Sequence, residues 1–332
     1  MIIEQVESHL KAEALKEVGK PRDVFRASGS GRCTREQAYQ MLGVVGEPLT
    51  PRRLMVFAQG RWIEGQLTDL MKASLGARFV PEGELGDHFF DLDGIHISYH
   101  IDGMFEYDDV NGKQCGIIEF KSINTRGFEK IVTGQIDIQY LCQAWCYLHG
   151  TQFPLIVFIF YRKDTSHLCE VIFDRNAKEL VVTQRLGGDV LALAKDDPLL
   201  VTEVRSPFDE SVGNKVREHF KWLAQMHDTY EASGVSIEEY ENDGMMPPGV
   251  RAVEDEIISV QGLEKATAML QSMPKGAHYE KSGSWYKFNT GRKILGFPCS
   301  YCAYKQQCFP DAQLEINRGA PKWVVDRESK GD

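Results

Sequence analysis

ISYHIDGMFEYDDVNGKQCGIIEFKSI, residues Ile97–Ile123, reads as a β-hairpin. Two runs rich in β-branched and aromatic residues flank Asn111-Gly112. That dipeptide suits a type I′ turn, which needs φ > 0 at both central positions. With Asn111-Gly112 as the loop, Val110 pairs with Lys113, Met104 with Glu119 and Asp102 with Lys121. Side chains two apart share a face, so Asp102, Glu119 and Lys121 point to one side. Directly opposed Cβ atoms lie ~5 Å apart and diagonal ones roughly 7–8 Å apart. Two carboxylates and one ammonium then converge within reach of a single ion. A one-residue slip would undo this. The bland alternative is a plain cross-strand salt bridge.

Before the hairpin, Ile3 to about Val18 predicts a helix with an apolar stripe at Val6, Leu10, Ala14 and Val18. Thr34 and Gln37 form a capping-box pattern, with Cys33 immediately ahead of that helix start. Phe57 to about Leu75 predicts an amphipathic helix with Trp62, Ile63, Leu67, Leu70 and Met71 apolar, ended by Gly76. Glu64 lies beside that apolar face. Strands are expected around Arg78–Leu85 and Phe89–Asp91.

After the hairpin, Phe128 to His149 predicts one helix. Gln135, Gln139, Gln143 and Tyr147 recur every four residues and form a polar stripe along it. That stripe is either a hydrogen-bonding surface or a neutral exposed face. Pro154–Arg162 and His167–Asp174 predict strands, the first apolar enough to be buried on both faces. Beyond them Asn176–Ala194, Gly213–Ala232 and Asp255–Met273 predict helices. The fold class is therefore α/β, a central mixed sheet flanked by helices, with an appended helical region. The expected division is 1–53 as an N-terminal helical segment, 54–175 as the core, 176–280 as the helical appendage and 281–332 as a C-terminal segment.

The chain has 332 residues and a net charge of −10, which argues against indiscriminate nucleic-acid binding. The charge is unevenly spread. Lys20 to Arg53 is basic, and Lys281 to Cys308 contains no acid. A positive groove on an acidic body fits a protein that binds a polyanion at one place. The aromatics interleaved with cations between Trp285 and Lys293 suit a single-stranded nucleic acid, or else a strand packing its rings into a core. No apolar run approaches the ~20 residues of a membrane span, and the N-terminus lacks the features of a signal peptide. No glycine-rich phosphate loop is present, so an ATP-driven motor is not expected. The expected location is cytoplasmic.

Eight cysteines in such a chain do not suggest disulfides. Cys115, Cys142, Cys146 and Cys169 read as small core residues. Cys299-x2-Cys302-x5-Cys308 is a compact thiolate cluster, and Cys33 is the obvious fourth ligand. Four thiolates suit Zn²⁺ or an iron–sulfur cluster, and spacing alone does not separate the two.

Asp102, then Glu119-Phe120-Lys121, then Gln143-x3-Tyr147 resembles the RecB-like branch of the PD-(D/E)XK nuclease superfamily. Ile101 stands where the superfamily's name has proline. One cysteine in GRCTREQAY and three in CSYCAYKQQC resemble its iron–sulfur subgroup, which includes CRISPR-adaptation exonucleases and nuclease domains of bacterial helicase–nucleases. The resemblance covers roughly residues 25–175 and 295–310. It implies a restriction-endonuclease-like sheet and a Mg²⁺- or Mn²⁺-dependent deoxyribonuclease. Glu64, Asp102, Glu119 and the Phe120 carbonyl would bind that ion. Lys121 would orient the attacking water or stabilise developing charge. Gln143 and Tyr147 would contact the DNA backbone or hold the site. Cys33, Cys299, Cys302 and Cys308 would carry a structural [4Fe–4S] cluster, with Zn²⁺ as the alternative.

The function expected is exonucleolytic hydrolysis of single strands or DNA ends in bacterial or phage recombination and repair. A recombinase, a single-strand-binding protein or a helicase would be the partner. The alternatives are a catalytically inactive DNA-end-binding module and a nuclease subunit that works only with a helicase or recombinase.

Overall fold

In chain order the elements are α1 (Ile2–Leu15), β1 (Phe25–Arg26), α2 (Thr34–Met41), α3 (Pro51–Leu75), β2 (Phe79–Pro81), β3 (His88–Leu92), β4 (Ile95–Tyr99), β5 (Gly103–Asp109), β6 (Gly112–Ile123), α4 (Thr125–Val132), α5 (Ile138–Gly150), β7 (Leu155–Arg162), β8 (Leu168–Asp174), β9 (Leu180–Gly187), β10 (Thr202–Ser206) and α6 (Glu210–Ser233). Then follow β11 (Val253–Gln261), α7 (Leu263–Ser272), β12 (Tyr279–Ser282), β13 (Trp285–Leu295) and α8 (Lys305–Cys308). This computed structural model describes residues 2–16, 19–22, 24–86, 88–110, 112–175, 180–187, 202–206, 210–237, 240, 253–272, 279–282, 284–295 and 302–308. They fall into two units, Met1–Gly249 and Val250–Asp332.

The first unit is an α/β structure built on a mixed sheet. Among the described residues its strand order is β10-β9-β8-β7-β6-β5-β2. All neighbours are antiparallel except β6 and β7, which run parallel from Gly116↔Leu155 to Ile123↔Arg162. Parallel strands need a crossover, and the α4–α5 segment supplies it. Helices cover both faces. On one, Ile63 and Leu67 of α3 pack with Phe79, Ile118, Phe120, Val157 and Ile159. Each such fully buried aliphatic contributes about 1.5–3 kcal/mol. On the other face Tyr140 of α5 meets the Phe158 and Phe160 rings edge-on, with centroids 6.2 and 5.2 Å apart.

Several local expectations are corrected. α3 begins at Pro51, because Thr50 accepts a hydrogen bond from the Arg53 amide (3.4 Å) and Pro51 occupies its first turn. Trp62 and Leu70 are exposed, since the buried face of α3 is narrow and centred on Ile63 and Leu67. The single helix expected over 128–149 is two. Gly134 takes φ 80°, and Asp137 caps the second helix by accepting from the Gln139 amide. Residues 180–187 form a strand where a helix was expected, and β9 and β10 extend the central sheet beyond β8. Residues 253–261 likewise form β11 and not the start of a helix. Cys115 is exposed, near the free end of β6, while Cys142, Cys146 and Cys169 are buried as expected.

The hairpin itself differs in two ways. Asp109 pairs with Gly112, and Asn111 lies outside the described residues. The register is therefore Gly103↔Ile118, shifted by two from the expected pairing. The first arm is also not one strand. β4 leaves the hairpin to pair with β3 and, in parallel, with β1 through Phe25↔Ile97. The chain breaks at His100–Asp102 between the two sheets.

α2 is not closed by a capping box. Its N-cap is Cys33, without a side-chain cap bond. Thr34 Oγ1 bonds His219 Nδ1 of α6 at 2.8 Å, and Gln37 Nε2 lies 3.0 Å from His219 Nε2. Gln37 Nε2 also donates to the Gly29 carbonyl at 2.7 Å, so neither side chain closes a capping box. His219 is 3% exposed, and burial lowers its pKa to about 3. The unfolded chain binds this proton below about pH 6.5 while the folded one stays neutral, so stability falls as pH drops from 6.5 toward 3. A loss of about 2 kcal/mol between pH 6.5 and 5 follows from one proton. His219→Leu should unfold with a correspondingly flatter pH dependence in urea titrations. An unchanged slope would show that another group carries it.

The second unit is a three-stranded antiparallel sheet in the order β11-β13-β12, with Tyr286, Phe288 and Ala266 buried together. The rings of β13 thus alternate. Tyr286 and Phe288 enter the core while Trp285 and Lys287 face outward.

Candidate active site

The break before β5 and the alternation along β6 build the site. Asp102 sits just ahead of β5, opposite Glu119 and not Lys121. Its Oδ2 accepts a hydrogen bond from the Phe120 amide at 2.5 Å. Phe120 therefore turns its N–H toward Asp102, and strand geometry sends its carbonyl to that same edge of β6. Because the register moved by two, the faces are unchanged. Glu119 and Lys121 share the α5 face, as their ion pair at 2.6 Å requires.

Glu119 is the centre of the arrangement. It is 4% exposed. Its Oε1 accepts from Lys121 Nζ (2.6 Å) and from Gln143 Nε2 (2.8 Å), while its Oε2 is buried without a hydrogen-bond partner. The Gln143 amide donates its second hydrogen to the Tyr147 hydroxyl (2.7 Å), and that hydroxyl donates to the His100 carbonyl (2.6 Å). Gln143 and Tyr147 are thus not a solvated stripe. They turn inward because Glu119 and the chain break offer them partners. Gln135 lies in the break between α4 and α5, outside this set. Tyr147 ties down the backbone two residues before Asp102, so one relay fixes both carboxylates.

The electrostatics are those of crowded acids. Burial, then the Glu119 charge, holds the Asp102 carboxyl well above its ordinary pKa, although the Phe120 amide and Lys121 oppose this. Glu64 is raised by burial, then by Glu82 and Glu119. The middle of α3 is therefore within electrostatic reach of β6. Burial alone would depress Lys121, yet the Glu119 charge and hydrogen bond outweigh it, and the ammonium is held more firmly than in water. Burial and Glu119 push the Tyr147 phenol far up, so it remains a donor.

A cavity of about 450 Å³ opens onto Glu119, Gln143 and Tyr147 and is walled by Arg26, Ser28, Glu82, Ser98, Tyr99 and His100. Sequence reasoning missed Arg26, Ser28 and Glu82 as site residues. The β1–β4 pairing brings the first two there, and the basic bias of residues 20–53 was the available signal. His100 sits in the wall, its Nδ1 3.7 Å from Glu82 Oε1.

Among the described residues no three His, Cys, Asp or Glu side chains close around one point. A divalent cation nonetheless fits the donors. A buried carboxylate oxygen lacks a partner, a second buried carboxylate resists ionisation beside it, and a backbone carbonyl faces the same edge. Hard cations take such oxygens. Of the cysteine set, Cys299 lies outside the described residues, and Cys33, Cys302 and Cys308 are half-buried. Cys302 Sγ accepts the Tyr304 amide at 3.4 Å, a bond that also stabilises metal-bound thiolates. Among the described residues no helix is long and apolar enough to cross a membrane.

No protein-family model and no curated protein matches the chain. Among solved structures, the alkaline exonuclease LHK-Exo from Laribacter hongkongensis is similar at 16% identity and a TM-score of 0.37, covering 68% of this chain and 98% of that one. LHK-Exo in complex with dAMP is similar at 16% identity and 0.37, covering 67% and 96%. SSO0001 is similar at 16% identity and 0.34, covering 52% and 78%.

Proposed function

We propose that the chain is a Mg²⁺- or Mn²⁺-dependent deoxyribonuclease that removes nucleotides from single strands or DNA ends. The observation that carries this reading is Glu119, buried between Lys121 and Gln143 with one oxygen unpartnered beside Asp102. A structural ion pair needs neither a second buried acid nor an orphan oxygen. Glu119, Asp102, the Phe120 carbonyl and Glu64 would hold the cation. When bound, such an ion supplies charge to the scissile phosphate and acidifies a bound water.

The protein's own groups do the rest. Lys121 keeps a proton on Nζ beside Glu119 and offers a cation where negative charge develops. Gln143 and Tyr147 hold Glu119 and the Asp102 backbone in place, so they are positioning residues. Arg26 and His100 line the cavity next to Glu119 and suit an anionic strand. The setting that fits is DNA recombination or repair in a bacterial or phage-infected cell. An end-labelled assay on single-stranded and duplex DNA, with and without Mn²⁺, tests the reading. Stepwise shortening that requires metal is expected, and DNA left intact in every lane would overturn it.

We further propose that Cys33, Cys299, Cys302 and Cys308 hold a structural [4Fe–4S] cluster. The support is the ligand count, the close spacing of three of them and the amide bond to Cys302. Protein purified without oxygen should be brown with about four iron atoms per chain. Colourless, zinc-loaded protein would reverse the assignment.

A further inference from the structure

α3 carries a feature that neither the metal site nor the core explains. Its buried residues are Ile63, at its midpoint, and Leu67, in its second half. The first half carries three arginines and one phenylalanine, and no acid stands between Glu47 and Glu64. Arg53, Phe57, Arg61 and Glu64 are spaced four, four and three apart, which places them within about 80° of arc along one side of the helix. Phe57 is 48% exposed, and Arg61 is exposed. Their order is cation, ring, cation and then the acid that senses Glu119. The stripe rises about 16 Å from Arg53 to Glu64.

This side of α3 is anchored to the catalytic strand. A Cβ added at Gly60 would lie 3.6 Å from Ser122 Oγ, directly after Lys121. α3 also runs antiparallel to β6, since Gly60 lies at Ser122 while the chain leaving α3 enters β2, whose Phe79 is in register with Phe105 and, across β5, with Gly116. Residues before Gly60 therefore extend past the C-terminal end of β6. A single exposed ring is ordinary by itself; one flanked by arginines on the same side of a helix suits a partner with flat rings and regularly spaced negative charge.

We infer that Arg53, Phe57 and Arg61 form a track for single-stranded DNA leading to Glu119. The inference rests on the nuclease reading and names the route by which its substrate arrives. Phe57 stacks on a base, and Arg61 meets a phosphate next to the scissile one. Trp62 is 64% exposed but points to another side of α3 and takes no part.

The test is fluorescence anisotropy of a short fluorescein-labelled oligo(dT) in EDTA, across a salt series, using the full chain. Phe57→Ala should weaken binding about tenfold at every salt concentration, as loss of one stacked base would. Arg61→Ala should make the slope of log affinity against log salt shallower by about 0.7, the value for one phosphate on a single strand. A merely structural role for Arg61 would not move that slope. Trp62→Ala should bind as wild type. Wild-type binding by Phe57→Ala and Arg61→Ala, or an equal loss in Trp62→Ala, would overturn the track. Adding Mn²⁺ to the wild type reports on the nuclease reading separately. Cleavage without a stripe effect removes the track alone, and a stripe effect without cleavage removes the nuclease reading alone.

Discussion

Lys121→Ala abolishes metal-dependent DNA cleavage, by about 10²–10³-fold or more, while DNA binding in EDTA is retained. Two contacts make this expectation sharp. Lys121 Nζ lies 2.6 Å from Glu119 Oε1 and 5.7 Å from the centre of the Phe158 ring. Removing the ammonium takes away the cation bonded to Glu119 and leaves a buried carboxylate whose described side-chain partner is Gln143. Breaking a buried pair from one side costs roughly 3–5 kcal/mol, so stability has to be measured beside activity. Lys121→Met keeps the apolar stem against Phe158 and gives a second, better-packed variant. Both should be folded by circular dichroism and inactive in the end-labelled assay. Degradation at the wild-type rate by either variant would remove Lys121 from the chemistry.

The convergence of Asp102, Glu119 and Lys121 is legible because it depends on parity more than on register. Asn111-Gly112 as the loop predicts Asp102 opposite Lys121, whereas it stands opposite Glu119. A shift of two residues leaves every side chain on its own face, so the three charged groups still meet. A shift of one would have reversed them. Helix positions were also legible where local chemistry fixes them. Gly76 ends α3 as expected, but as its C-cap at φ 57° and ψ −131°, a backbone region that glycine alone enters readily, and not in the left-handed helical conformation of a C′ glycine.

What was illegible depends on partners distant in sequence. The break at His100–Asp102 exists because β4 is claimed by β1 and β3, and no local pattern announces that a strand will change sheets. The stripe with Gln143 and Tyr147 leaves two readings open, a hydrogen-bonding surface or a neutral exposed face, because an isolated helix does not show that Glu119 faces it. His219 drew Thr34 and Gln37 away from a capping box for the same reason. The patterns over 180–187 and 253–261 predict helices, although Val181, Val182, Ile257 and Ile258 favour a pleated surface. The acids Glu254, Asp255 and Glu256 resemble a helical first turn. Pairing with β8 and β13 overrode that local appearance.

Asp102→Asn should be more stable than wild type when divalent ions are chelated, and should lose the stabilisation that Mn²⁺ confers. The sign follows from the direction of the shift. Burial and Glu119 hold the Asp102 carboxyl well above its ordinary pKa. A carboxyl raised in the folded state weakens folding at every pH above its unfolded value of about 3.9, because the unfolded chain ionises it more easily. Asparagine removes that charge but keeps an oxygen to accept the Phe120 amide. Its folded state therefore escapes the repulsion from Glu119 without losing the bond. A cation reverses the ranking for the wild type alone. Binding only the folded state at a hundred times its dissociation constant adds about 2.7 kcal/mol. Thermal unfolding of both proteins in EDTA and in Mn²⁺ reads this directly, with no dependence on turnover. A variant that unfolds below wild type in EDTA, or gains as much from Mn²⁺, would show that Asp102 is a structural acid and not part of a cation site.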